Sequence, residues 1–199
     1  MLVLNSYISQ LILYEYPSAA MTAQDTIISG QPYGNGSQRA FGSSTLAGNN
    51  NWVAMDKSAA VVWISVASKY NTTTGAYIGA TTITATNTIT YSGEYYIWYP
   101  AATAVRLRLY SYSITAETTN PARTPYSWVV VASLTNGAGT YDLIDTQSNV
   151  TFSAGETKIF TVNSSVGYYS FRIYILNVAP SNDGFTSMAE WKLFSLDVF

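Results

Sequence analysis

The chain has 199 residues, 48% of them hydrophobic and only 10% charged, with nine basic against eleven acidic side chains and a net charge of −2. No run of Lys or Arg is present that would neutralise a phosphate backbone, which argues against nucleic-acid binding. The absence of cysteine rules out disulfides, thiolate metal sites and a cysteine nucleophile, and the absence of histidine removes the commonest general base.

In chain order, residues 1–13 lean apolar but are interrupted by Asn5, Ser6, Ser9 and Gln10. They lack the basic start and continuous apolar core of a signal peptide and are too short to span a bilayer, so no transmembrane segment is expected. We read residues 1–15 as an N-terminal arm ahead of one domain, 16–199. Val3, Leu4, Ile8, Leu11, Ile12 and Leu13 would each contribute on the order of 1.5–3 kcal/mol if buried, so the arm is expected to dock on its own domain or on a neighbouring subunit.

Short runs rich in Val, Ile, Thr, Tyr and Trp follow, separated by Gly, Asn and Pro clusters. They predict strands at 26–29, 60–65, 94–99, 105–115, 127–133, 141–146, 157–162, 168–178 and 188–195, and no helix. In the fourth of these, Val105, Leu107 and Leu109 alternate with Arg106, Arg108 and Tyr110, the two-residue period of a strand with one buried face. Turn signals at 34–36, 48–50, 74–75, 92–93, 136–137, 154–155 and 182–184 suit antiparallel strands. The Thr-rich, charge-free stretch 70–90 carries Tyr77, Ile78, Ile83 and Ile89 as apolar anchors and is read as a hairpin or long ordered loop. Together these signals predict an all-β protein, an antiparallel β-sandwich or jelly roll.

Catalysis has little to stand on. The carboxylates are scattered, and the nearest pair in sequence, Asp142 and Asp145, is expected to point to opposite faces of a strand. The glycine turns lack the Lys and following helix of a phosphate loop. No loop carries the alternating carboxylates of a calcium site, so no metal or other cofactor is expected. Trp63, Trp128, Trp191, Phe171 and Phe194 are assigned to the core, and Arg172 and Glu190 to neighbouring strands where they would form an ion pair.

Three segments resemble the discoidin domain, a galactose-binding-like jelly roll: residues 51–63, an apolar pair with an Asp turn and a Trp; Pro125-Tyr-Ser-Trp-Val-Val-Val-Ala-Ser with 141–145, a central hairpin; and 168–175 with Met188-Ala-Glu-Trp-Lys-Leu-Phe194, a closing strand pair. The resemblance covers residues 16–195. Ser29-Gly-Gln-Pro-Tyr-Gly-Asn-Gly36, Tyr91-Ser-Gly-Glu94, Phe152-Ser-Ala-Gly-Glu-Thr-Lys158 and Ala189-Glu-Trp-Lys-Leu-Phe194 further resemble a subfamily of structural and surface proteins of large icosahedral DNA viruses of algae and protists. That resemblance implies a non-enzymatic virion component, a minor capsid or surface protein assembled in the host cytoplasm whose partners are other coat proteins. The alternative is an extracellular or cell-surface carbohydrate-binding adhesin that takes cell-surface glycans. In the discoidin family, specificity lies in loops, where aromatics stack on sugars and polar side chains orient them. The loop positions that could do so here are Tyr33, Asn35, Asn49, Asn50, Trp52, Tyr70, Tyr77, Asn120 and Arg123.

Overall fold

The computed structural model describes residues 12–101, 106–136 and 139–198. Residues 1–11, most of the expected arm, lie outside the described residues.

Ten of the strands form two antiparallel sheets packed face to face. The smaller has the order β1 (Tyr14–Tyr16), β14 (Glu190–Val198), β8 (Leu107–Thr115), β11 (Thr157–Thr161). The larger has the order β10 (Asp142–Gln147), β9 (Pro125–Ser133), β12 (Ser170–Val178), β7 (Glu94–Pro100), β3 (Gly36–Gly42), β2 (Asp25–Ile28). Tyr14 opposes Ser195, so the sandwich already begins at Tyr14, inside the stretch assigned to the arm.

Two-residue alternation places the core. Trp128, Val130, Phe171, Ile173 and Trp98 face inward from the larger sheet and meet Leu107, Leu109, Tyr112, Ile114, Trp191 and Leu193 from the smaller one. The expected core residue Phe194 is a correction: it lies between inward Leu193 and buried Ser195 on β14, opposite Glu15 and Ser111, and is only half-buried.

The strand β9 is apolar on both faces because both are covered. Val129 and Val131 point away from the main core yet are fully buried, packed with Tyr174 and Tyr141 beneath Ile83 and Tyr91. Ile83 and Tyr91 come from a hairpin, β5 (Thr82–Thr84) and β6 (Thr90–Ser92), which is the ordered form of the Thr-rich stretch. The hairpin belongs to the long connection 43–93 between β3 and β7, which also holds a 3-10 turn, Val53–Met55, and the short strand β4 (Trp63–Ile64), paired with β13 (Ser187–Met188).

That connection is tied down at two buried points. The Trp63 indole donates to the Ser44 carbonyl at 2.9 Å and lies against Gly42, where a Cβ would sit 2.2 Å from the indole nitrogen. Glu94, 1% exposed, accepts from Ser43 at 2.7 Å, from Ser44, and from the Tyr77 hydroxyl at 2.9 Å.

Two side-chain expectations fail for topological reasons. The strands carrying Arg172 and Glu190 lie in different sheets, so the expected pair does not form. The Arg172 guanidinium instead sits 4.8 Å from the Tyr95 ring and 4.5 Å from the Tyr141 ring on the outer face of the larger sheet. Asp142 and Asp145 do not point to opposite faces either. A bulge at Leu143/Asp145 inserts a residue, so they oppose Ala132 and Val130, both inward positions. Asp142 there accepts from Tyr168 at 2.9 Å, and Asp145 from Tyr112 at 2.6 Å.

Candidate functional site

Strand directions sort the loops into two ends. The start of β9 and the end of β12 meet at one end, since Val178 opposes Pro125, and the loops 116–124, 148–156 and 179–186 gather there. The turn 29–35 lies at the other end, because Ile28 pairs with Gly36 and Gln38 with Pro100, the last residue of β7.

At the first end a 3-10 turn, Pro121–Arg123, stands between two cavities. One, about 210 Å³, is polar and is lined by Asn120, Arg123, Ser181, Asn182 and Asp183. The other, about 240 Å³, is mostly apolar and is lined by Pro121, Thr124, Val150, Phe152 and Ala179. Ala122 borders both, so a polar and an apolar cavity adjoin across the turn and are described together as the two halves of this cleft.

The polar half is rigidly built. Arg123 Nε donates to Asp183 Oδ2 at 2.9 Å and Nη2 to the same oxygen at 2.5 Å, while the guanidinium lies 4.8 Å from the Phe185 ring. Behind it Glu117, 5% exposed, stands 3.7 Å from Arg123 Nη1 and accepts from Ser187, Thr119 and Asn120. Asn182 fixes the facing loop by donating to the carbonyls of Ala179 and Asn71 and accepting from the Gly184 N–H. The Arg123 hydrogen bonds hold the Asp183 carboxyl below the usual range, and the same bonds raise the Arg123 guanidinium. A carboxyl held ionised in this way accepts hydrogen bonds from hydroxyls and is the opposite of a general acid, which needs a raised pKa.

Of the loop residues picked from sequence, Arg123 and Asn120 meet at this cleft. The others do not. Tyr33 and Asn35 sit at the far end; Tyr33 packs edge-on against Tyr14 and Tyr16 at 4.9 and 5.5 Å, and its hydroxyl accepts from the Glu15 N–H. The Asn35 side chain bonds both backbone groups of Gln31 and closes its own turn. Tyr70 is a correction: it is 1% exposed and donates to the Ile175 carbonyl, leaving no ring face for a ligand. Tyr77 is spent on Glu94 and on the Thr81 N–H, and Trp52 is half-buried against the core. Asn50 is exposed in its turn, and Asn49 closes it by donating its N–H to Leu46. Sequence reasoning missed Phe152 and Asp183 as site residues. The only signals for them were an aromatic in the 152–158 motif and an Asn-Asp-Gly turn, and neither carries distance information.

A second cluster also went unseen in the sequence. Asp56 and Glu190, far apart in the chain, both accept the Ser58 N–H, at 2.8 and 3.1 Å, and Glu190 Oε2 is buried with no partner. Burial pushes the Glu190 carboxyl up to about 8, and burial likewise raises Asp56. Among the described residues no three His, Cys, Asp or Glu side chains gather in a way that would hold a metal ion, and no helix is long and apolar enough to cross a membrane.

The two-sheet arrangement has counterparts among solved structures. The family 32 carbohydrate-binding module of Clostridium perfringens NanJ, solved with galactose, superposes with a TM-score of 0.54 at 16% identity over 79% of this chain and 93% of that one. A further C. perfringens module, CpGH89CBM32-5, solved with GalNAc-β-1,3-galactose, gives 0.56 at 14% identity over 79% and 95%. A chitosan-binding module from Paenibacillus gives 0.51 at 13% over 78% and 93%. The fold is a discoidin-like, galactose-binding-like β-sandwich. No family model matches the sequence, and no curated protein matches it.

Proposed function

We propose that this discoidin-like sandwich is a non-catalytic carbohydrate-binding module whose site is the cleft around Pro121–Arg123. The observation that carries the reading is the cleft's division. Asn120, Arg123 and Asp183 offer donors and an acceptor for sugar hydroxyls, while Phe152, Val150 and Pro121 offer an apolar wall for a C–H face. The three structures named above are carbohydrate-binding modules of the same fold, which supports this reading. The coat-protein role implied by the narrower viral resemblance finds no such support.

A glycan array followed by calorimetry tests the proposal. Wild-type protein should bind at least one neutral glycan, Arg123→Ala and Phe152→Ala should each weaken it at least tenfold, and both variants should stay folded. An array with no hit, or binding unchanged in both variants, would overturn it.

A further inference from the structure

A further cavity lies at the opposite end of the sandwich from the proposed sugar cleft. It measures about 490 Å³ and is lined by Arg106, Arg108, Ser165, Val166 and Gly167. That is within the range of small-molecule sites.

Its two arginines lie two residues apart at the head of β8, with Leu107 between them turned into the core, so strand alternation puts both on one face. The facing wall is the loop between β11 and β12. It comes close because Gly167 has no side chain: a Cβ there would sit 3.2 Å from Arg106 Cβ.

The exposed Arg106 does not wave freely. Its guanidinium is laid 4.7 Å from the Tyr169 ring. Stacking engages the flat face of a guanidinium and leaves its N–H donors pointing outward in the plane, which is the edge that takes a carboxylate or sulfate in a forked pair. Ser165 adds a hydroxyl, and Val166, 43% exposed, adds an apolar surface beside the arginines. In a chain with nine basic residues, two of them in one cavity with a hydroxyl and an exposed valine is a concentrated arrangement.

We propose that this cavity binds the acidic group, carboxylate or sulfate ester, of an anionic saccharide, as a second site separate from the Pro121–Arg123 cleft. The test uses the full chain and calorimetry at 50 and 300 mM salt with three probes: a heparin-derived sulfated tetrasaccharide, tetragalacturonate and neutral cellotetraose. At least one acidic probe should bind, more weakly at the higher salt, and cellotetraose should not bind at this cavity. Arg106→Glu should weaken acidic binding at least tenfold with an unchanged melting temperature, and Arg123→Ala should leave it intact. Binding of the sulfated probe alone identifies a sulfate site, and of tetragalacturonate alone a carboxylate site. The proposal is overturned if neither acidic probe binds at 50 mM salt, if Arg106→Glu binds as wild type does, or if Arg123→Ala abolishes the binding. Of these two variants only Arg123→Ala should weaken neutral-glycan binding at the other cleft, so the two readings fail separately.

Discussion

Arg123, on the turn before β9, donates through Nε and Nη2 to Asp183, on the loop after β12, and so joins two loops whose paired residues are 60 apart in sequence. The side chains are 17% and 46% exposed, so the pair lies at a solvent boundary and adds at most about 1 kcal/mol to folding. Its effect belongs to positioning. Asp183→Asn keeps the shape and removes the charge, so it should weaken glycan binding severalfold while shifting Tm by less than about 3 °C. Because the folded Asp183 carboxyl is depressed, the pair is intact above the ordinary carboxylate range and is lost as pH falls through the folded value. Binding should accordingly persist at pH 5 and fail only in stronger acid, as a calorimetric pH series would show.

Tyr33→Ala and Trp52→Ala should behave as packing mutations. Tyr33 fills a three-ring cluster with Tyr14 and Tyr16, and Trp52 packs on the main core, so each truncation should cost roughly 1–3 kcal/mol of unfolding free energy. Glycan affinity should stay within twofold of wild type. Denaturant unfolding paired with a binding assay checks both halves, and a variant with lost binding and unchanged stability would contradict the assignment.

Glu94 anchors the 43–93 connection, and Tyr77 is one of its donors. Tyr77→Phe removes one hydrogen bond to a buried carboxylate and should cost about 1–3 kcal/mol. Glu94→Ala leaves Ser43, Ser44 and Tyr77 without their acceptor and should cost more. Hydrogen exchange should show the loss of protection concentrated in residues 43–93, ahead of the β9 and β12 strands.

The Asp56 and Glu190 pair sets a pH dependence. Glu190 is raised by burial foremost and by Asp56 among its charged neighbours, while the Lys192 cation and the N–H groups of Lys57 and Ser58 lower it. With a folded value of about 8 against an ordinary 4.5, the folded state holds a proton that the unfolded chain has released. Stability is therefore fullest below the unfolded value and declines as pH rises toward 8. In EDTA, so that no divalent cation replaces the proton, Tm should fall between pH 5 and pH 9 by on the order of 5–10 °C. Glu190→Gln, neutral at every pH, should flatten that decline; an equally steep fall in the variant would refute the assignment.

The strands were legible wherever alternation or a β-branched run was strong. β8, β9 and β12 lie close to where Leu107 and Leu109, the Val129 to Val131 run, and Phe171 to Ile175 put them. β3 was not legible, because Gly36–Gly42 carries few apolar residues and is held by pairing on both sides rather than by its own pattern. The site was harder to read. Exposed aromatics and asparagines in loops look alike in sequence, whether they face solvent or, like Tyr70 and Tyr77, fold back on the core. Arg123 was one of nine loop positions picked together as polar or aromatic, and its partner Asp183 could not be picked with it because it lies 60 residues away in sequence. The bulge at Leu143/Asp145 shows the same limit, since one inserted residue inverts an inference drawn from spacing alone.

The pairing of β1 with β14 has a geometric outcome. Tyr14 opposes Ser195, and Val198 opposes Leu107 at the start of β8, so the chain comes into the sandwich and leaves it side by side, at the pole away from the Pro121–Arg123 turn. Tyr14 and Val198 therefore mark one pole of the sandwich and the Pro121–Arg123 turn the other, with the full length of β8 between them.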